Sequence, residues 1–141
     1  MTRIDFYISE RPGDAERVAC RLTEKAYHKG LKVILHCPDQ DRLRRLDDLL
    51  WTFRQGSFLP HETVTGDELP EAPILLSACP EPPEGDVLIN LDAAVPPGFA
   101  SHPRVLEIVD GDQDSRRAGR ARFKFYRDRG YPLQTHNLQG R

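Results

Sequence analysis

The chain has 141 residues, of which 38% are hydrophobic and 30% are charged. These proportions suit one globular domain and exclude a wholly disordered chain. No apolar run exceeds three residues, far short of the roughly 20 that a membrane-spanning helix needs. The three cysteines (Cys20, Cys37 and Cys79) form no Cys-x-x-Cys pair, and acidic residues stand where a signal peptide would be apolar. We therefore expect reduced thiols in a cytoplasmic protein.

The charge is distributed unevenly along the chain. Residues 1–111 carry 12 Lys and Arg against 19 Asp and Glu, a net charge of −7, whereas residues 112–141 carry 8 against 3, a net charge of +5. An acidic body with a basic C-terminal segment is poorly suited to bulk duplex DNA. It is well suited to one compact acidic partner.

The first 36 residues predict a strand, a helix and a second strand. Polar and apolar residues alternate over 3–8, as in a strand, and apolar residues recur at helical spacing from Ala15 to His28. Gly30 is a typical helix stop, and the apolar stretch 31–36 follows at once. This order predicts a βαβ unit with parallel strands and a right-handed crossover.

The rest of the chain continues the alternation of helices and strands. A second helix is predicted from Asp39 to Leu50, followed by a broken aromatic segment and a polar loop over 61–73. Further elements are predicted as strands at 73–77, 86–91 and 104–109, a helix at 112–129, and a short tail at 132–141. The predicted fold is α/β: one domain over 1–141, with a mostly parallel sheet and helices on both faces.

Motifs for enzymatic chemistry are missing from the sequence. There is no Gly-x-Gly-x-x-Gly and no Walker-type loop, and the first strand–helix turn, 10–14, carries acids that would repel a pyrophosphate. The five histidines form no metal-binding motif, although His36 and Cys37 are adjacent and could ligate a metal with distant partners. Ordinary polar positions are the favoured interpretation. We predict no catalytic residue, no metal and no cofactor.

Three aromatic residues lie close together in the segment 51–60, which Gly56 and Pro60 interrupt. Trp51, Phe53 and Phe58 bring a large apolar area to a stretch too irregular for one helix. Grouped aromatics of this kind often form protein interfaces. The other possibility is a loop that folds its aromatics into the core of the domain, and composition alone does not separate the two.

The last predicted helix is strongly basic. At 100° per residue, Arg116, Arg120, Phe123 and Arg127 lie within about 60° of one another. Guanidinium groups bind carboxylates bidentately, and a neighbouring aromatic ring can seat an apolar side chain. Ala118, Ala121 and Phe125 lie on the opposite side and are predicted to pack on the sheet. A solvated basic face and a nucleic-acid-binding face are the alternatives.

Four segments together resemble the chi subunit family of bacterial DNA polymerase III. They are Phe6-Tyr7, Leu46-Asp-Asp-Leu-Leu-Trp51 followed by Ser57-Phe-Leu-Pro-His61, Asp86-Val-Leu-Ile-Asn90, and Arg120-Ala-Arg-Phe-Lys-Phe-Tyr-Arg127 with Gly130-Tyr131. The likeness extends in order over nearly the whole chain, and the loop at 62–85 contributes little to it. Phe123 stands where some members carry Tyr, and Arg116 where a Lys occurs.

The resemblance implies a non-catalytic accessory protein of the clamp loader with a Rossmann-like, helicase-like outline but no phosphate-binding loops. It implies two partners: the psi subunit, and the acidic C-terminal tail of single-stranded-DNA-binding protein. Trp51 and Phe58 then belong to the psi-facing surface. The tail-binding pocket takes Arg116, Arg120, Phe123 and Lys124. A monomer or a 1:1 heterodimer with psi is expected, without a membrane and with mainly indirect contact to nucleic acid. Direct nucleic-acid binding by the basic helix 116–129 is the alternative.

Overall fold

The computed structural model describes residues 1–56 and 58–138. Strands and helices alternate along most of this length. The strands are β1 (Arg3–Ser9), β2 (Val33–His36), β3 (His61–Thr63), β4 (Ile74–Ser77), β5 (Val87–Asn90), β6 (Arg104–Val109) and β7 (Leu133–Leu138). The α-helices are α1 (Ala15–His28), α2 (Gln40–Thr52) and α3 (Gln113–Asp128), and a short 3₁₀ turn occupies Phe99–Ser101. The predicted helices are confirmed to within two residues at their ends.

The strands form one sheet in the order β3-β4-β2-β5-β6-β1-β7. All six strand pairs in the described part of the chain are parallel, which confirms the predicted α/β class and the parallel β1–α1–β2 unit. Successive side chains of a strand point to opposite faces, so the sheet needs cover on both sides. Helices α1 and α2 cover one face and α3 covers the other.

Each face of the sheet has its own apolar core. On the first face, Leu46 and Leu50 of α2 pack with the strand residues Leu35 and Leu76. On the second face, Tyr126 of α3 belongs to a cluster with the residues Ile4, Phe6, Ile34, Leu75, Leu88 and Val105. Full burial of one such side chain contributes on the order of 1.5–3 kcal/mol, so these two layers hold the helices in place.

Aspartate side chains fix the starts of two helices. The Asp39 carboxylate accepts hydrogen bonds from the backbone N–H groups of Asp41 and Arg42 at 3.0 and 3.3 Å. The Asp112 carboxylate accepts one from the N–H of Ser115 at 3.0 Å. Such caps satisfy donors that have no partner within the helix, and this sets where α2 and α3 begin.

Two predictions of irregular structure are wrong. The stretch 61–73 was predicted as loop, yet His61–Thr63 pairs with β4 as an edge strand of three residues. The segment 132–141 was predicted as a tail, yet Leu133–Leu138 pairs with β1 in parallel. An edge strand is open to solvent on one side and tolerates polar residues on both faces, so neither segment shows the alternation on which a strand prediction relies. The last three residues of the predicted tail lie outside the described residues.

No helix in the described ranges is long and apolar enough to cross a membrane.

Candidate functional site

Helix α3 is attached to the sheet by a buried ion pair. Arg122, only 4% exposed, donates from Nε to Oε1 of Glu107 on β6 at 2.8 Å. The Asn90 amide also donates to Oε1 at 2.9 Å, and the Tyr126 hydroxyl donates to Oε2 at 2.7 Å. Burial raises the pKa of Glu107, although Arg122 and the hydrogen bonds favour its charged form. The network positions α3 and the side chains on its outer surface.

This network corrects the predicted packing face of the helix. Ala121 is exposed, and Ala118 and Phe125 are only half-buried. The fully buried residues of α3 are Gly119, Arg122 and Tyr126. Phe125 does pack against the core, as predicted. The prediction was wrong in placing no arginine on the buried face, because Glu107 stabilises the charge of Arg122 inside the protein.

A cleft of about 370 Å³ lies between α3 and the β1–β7 edge of the sheet. Its lining contains three of the four residues predicted for the tail-binding pocket: Arg116, Arg120 and Phe123. The Phe123 ring is half-buried and meets the buried Phe6 ring edge-on, with 5.4 Å between centroids. The cleft therefore combines an aromatic floor with two guanidinium groups at its rim.

The remaining lining residues were not predicted from the sequence. They are Phe6, Ile8, Val109, Gly119, Thr135 and Asn137. Gly119 has a clear steric role, since a Cβ atom at this position would lie 2.7 Å from Cγ2 of Val109. It lets α3 approach β6 closely. No sequence pattern indicated Thr135 and Asn137, because their strand, β7, was not predicted.

The two arginines of the cleft differ from the other cations of α3. Four of the six basic side chains on this helix pair with carboxylates: Arg117 with Asp114, Arg122 with Glu107, and Lys124 and Arg127 with Asp128. Across the part of the chain that the structure describes, Arg116 and Arg120 have no carboxylate partner. They are therefore the cations of α3 that remain available to an acidic ligand.

Lys124 occupies a different position from the other predicted pocket residues. Its Nζ lies 2.9 Å from Oδ2 of Asp128, one turn further along the exposed surface of α3. It does not line the cleft. The hydrogen bond from Lys124 is the main reason that the pKa of Asp128 is lowered.

The three aromatic residues of 51–60 separate into two groups. Trp51, in the last turn of α2, is 49% exposed, and Phe58 is 67% exposed, with 5.8 Å between their ring centroids. Phe53 is half-buried and packs against the core beneath α1 and α2. Both alternatives left open by the composition thus occur: Phe53 joins the core, and the other two rings form an exposed apolar patch.

His61 supports that patch from below. Its ring is buried, with Nδ1 2.6 Å from the carbonyl oxygen of Leu59 and Nε2 3.0 Å from Oδ1 of Asp47. The Trp51 ring lies over it, with 4.3 Å between centroids. The imidazole therefore limits how far Trp51 can turn inward, which keeps the indole ring at the surface.

The cleft and the aromatic patch lie at opposite ends of the sheet. The patch is formed by the end of α2 and the segment leading into β3, which is one edge strand. The cleft lies beside β7, the other edge strand. One partner bound at each place would not compete for the same surface.

The carboxyl ends of the strands, where α/β folds usually bind nucleotides, form a cleft with a different chemistry. Its lining includes six acidic residues: Glu16, Asp39, Asp92, Asp110, Asp112 and Asp114. Asp110 accepts hydrogen bonds from the backbone N–H groups of Gly13, Asp14 and Gly111. The protein's own carboxylates thus take backbone donors that a phosphate would otherwise use.

The cysteines and His36 are mostly inside the protein. Burial raises the pKa of Cys20 to about 12 and that of Cys37 to about 11, and burial lowers the pKa of His36. Among residues 1–56 and 58–138, no three His, Cys, Asp or Glu side chains are placed to hold a metal ion.

Comparison with known sequences identifies related proteins. The model of the family described as "DNA polymerase III chi subunit, HolC" matches residues 1–134. A DNA polymerase III subunit chi from Pseudomonas aeruginosa is 44% identical and covers 98% of this chain and 98% of its own length. The subunit chi from Escherichia coli is 27% identical over 85% of this chain and 83% of its own.

Comparison with solved structures shows the same fold in a domain of a DEAD-box protein. The C-terminal domain of Saccharomyces cerevisiae Dbp5 superimposes with a TM-score of 0.65 at 13% identity, over 99% of this chain and 92% of that domain. Against a longer Dbp5 chain the match covers 42% of its length. At this level of identity the likeness concerns the fold alone, and it confirms the helicase-like outline.

Proposed function

This chain belongs to the family of DNA polymerase III chi subunits, and we propose that it acts there as a non-catalytic adaptor. One surface binds the acidic C-terminal tail of single-stranded-DNA-binding protein, and the other binds the psi subunit of the clamp loader. The chain then links protein-coated template to the loader during DNA replication.

The observation that carries this proposal is a half-buried aromatic ring beside two arginines that have no carboxylate partner among the described residues. Arg116 and Arg120 flank a cleft whose floor includes Phe123, and the other four cations of α3 already pair with acids. We expect the tail to end in a phenylalanine with a free α-carboxylate after a run of aspartates. Such a ligand needs a guanidinium for the carboxylate, an apolar seat for its ring, and further positive charge.

The residues divide these tasks according to their positions. Arg120 and Phe123, three residues apart on one face of α3, take the terminal carboxylate and the ring. Arg116, one turn earlier, attracts the aspartates. Lys124 is outside the lining of the cleft, and its contribution is limited to long-range attraction.

The exposed rings of Trp51 and Phe58 support the second half of the proposal. Large aromatic side chains are seldom left this exposed without a partner, and they are the residue types that anchor protein interfaces. Because His61 holds Trp51 outward, the psi-facing surface is organised before psi binds.

Direct nucleic-acid binding through α3 is less well supported. Sequence-independent affinity for nucleic acid depends on many cations that are free to contact phosphates. On α3, only Arg116 and Arg120 lack a carboxylate partner within 1–56 and 58–138.

A binding experiment with both partners tests the adaptor proposal. A tail peptide would be titrated into the chain alone and into its purified complex with psi, with calorimetry as the readout. The proposal predicts one peptide site with the same affinity in both titrations, since the two surfaces lie at opposite sheet edges. Loss of peptide binding in the complex would show that both partners use one surface and would overturn the adaptor role.

A further inference from the structure

A second basic cleft lies on the opposite face of the sheet from the α3 cleft. It has a volume of about 250 Å³ and lies between the last turns of α1 and the amino-terminal ends of β1 and β6. Four cationic side chains line it: Arg3, Lys25, Lys29 and Arg104. Its floor is the buried apolar layer beneath α1.

One buried carboxylate organises the arginines of this cleft. Arg3 and Arg104 are register partners on β1 and β6 and would repel each other. The fully buried Asp5 binds both: its Oδ2 lies 3.2 Å from Arg3 Nε and 3.1 Å from Arg104 Nη2. Its Oδ1 lies 3.0 Å from Nε2 of His136 on β7. The two guanidiniums are therefore held in fixed positions at the mouth of the cleft.

The positive charge of the cleft exceeds what Asp5 can neutralise. Lys25 and Lys29 are exposed, one helical turn apart, and neither has a carboxylate partner in the described part of the chain. Arg104 Nε is buried and has no hydrogen-bond acceptor within that same part. Within residues 1–56 and 58–138, four cations thus share one carboxylate, and the Nε–H donor of Arg104 has no acceptor.

A stacked pair of aromatic rings continues from the cleft toward the sheet edge. The Tyr7 ring, part of the cleft lining, stacks on the His136 ring with 4.5 Å between centroids and 12° between planes. Both rings are half-buried: Tyr7 also packs against the core beneath α1, and the His136 side chain is 38% exposed. Proteins generally bind single-stranded nucleic acid in two ways at once: cations contact the phosphate backbone, and the bases stack on nearby aromatic rings.

From this juxtaposition we propose that the cleft formed by Arg3, Lys25, Lys29 and Arg104 binds phosphate groups of single-stranded nucleic acid, with Tyr7 and His136 beside it as a stacking surface. The cleft lies on the opposite face of the sheet from the tail surface, and β7 contributes to both, through His136 here and through Thr135 and Asn137 there. It would let the chain contact a short stretch of bare template while α3 binds its protein partner.

Fluorescence anisotropy with a labelled 20-residue oligo(dT) tests the proposal across a salt series. The key variant is Lys25→Gln/Lys29→Gln, which removes two exposed cations of the cleft. The matched control is Arg44→Gln/Arg45→Gln, which removes two exposed cations of α2. Thermal unfolding of each variant is measured as well, because Lys25 and Lys29 also lie where positive charge offsets the dipole of α1.

The expected result is weaker binding for the cleft variant alone. The logarithm of the binding constant falls linearly with the logarithm of the salt concentration. Losing two phosphate contacts should make this slope shallower by about 1.4, while the control keeps the wild-type slope. Inorganic phosphate and thymidine monophosphate are then added as competitors of the oligonucleotide. At a nucleic-acid site both should displace it only weakly, whereas at a site for isolated phosphate both should displace it readily. Equal loss in both variants, no binding by the wild type, or stronger binding of an aspartate-rich peptide than of the oligonucleotide would overturn the proposal.

Discussion

Arg122 of α3 and Glu107 of β6 form an ion pair that is buried on both sides, with 2.8 Å between Nε and Oε1. The pair connects the helix that carries the cleft arginines to the centre of the sheet. It stabilises the position of the cleft rather than contacting a ligand there.

Removing one partner of this pair should therefore destabilise the whole domain. We expect Arg122→Ala to lower the free energy of unfolding by ~3–5 kcal/mol, because it leaves the Glu107 carboxylate buried without its cation. Urea denaturation measures the change. Arg117→Ala, which removes an exposed arginine from the same helix, serves as the control and should have little effect. An Arg122→Ala protein as stable as the wild type would show that the pair does not hold α3.

Phe58 should matter for binding and not for folding. Its ring is 67% exposed, so Phe58→Ala should leave the thermal midpoint nearly unchanged. Loss of a central aromatic anchor costs ~2 kcal/mol or more, so co-purification with psi should weaken at least tenfold. Phe53→Ala is the comparison, because that half-buried ring packs on the core and its loss should lower stability. An unfolded Phe58→Ala protein would place Phe58 in the core instead.

Asp5 should make stability depend on pH in the acid range. Burial alone would raise its pKa, but hydrogen bonds from His136, Arg104 and Arg3 outweigh burial and lower the pKa below the ordinary 3.8. A carboxyl group with a lowered folded-state pKa contributes stability that is fully present above pH 3.8 and is lost as the pH falls through the folded-state value.

The variant Asp5→Asn tests this contribution. At pH 7 we expect it to lower the free energy of unfolding by ~1.5–3 kcal/mol, since the charge-assisted hydrogen bonds to both arginines are weakened. Below pH 3.8 the wild type should lose stability more steeply than the variant, so the two denaturation curves should converge. Curves that stay parallel from pH 7 to pH 2.5 would contradict a lowered pKa for Asp5.

The sequence was sufficient to predict elements that are apolar on at least one face. The βαβ unit, the buried strands and the capped helices all show a clear period or a clear stop signal. Strands β3 and β7 were missed because edge strands with polar residues on both faces have no such period. Missing β7 had a direct consequence: Thr135 and Asn137 could not be placed beside α3.

Part of the candidate site was predictable from helix geometry. Helical spacing alone groups Arg116, Arg120 and Phe123, because the geometry of a helix is fixed by the chain. Which arginine is buried depends on Glu107, which is 15 residues away from Arg122 and meets it only in the folded protein. The cleft around Asp5 likewise needs β1 and β6 to pair across about 100 residues, and no local pattern indicates that contact.

In the proposed tail-binding cleft, Arg120 binds the terminal carboxylate of the peptide. Calorimetric titration of the peptide, with a free or an amidated C-terminus, into the wild type and Arg120→Ala tests this role. Arg117→Ala provides the control, because it removes the same charge from α3 outside the cleft.

Arg120→Ala should weaken binding of the free peptide by ~1.5–3 kcal/mol, the range for a hydrogen bond to a charged group. Amidation should cost the wild type and the control a similar amount. It should cost Arg120→Ala little more, because the carboxylate has already lost its partner in that variant. If amidation proves harmless to the wild type, or if Arg120→Ala binds the free peptide as tightly as the wild type, then Arg120 is not the carboxylate-binding residue.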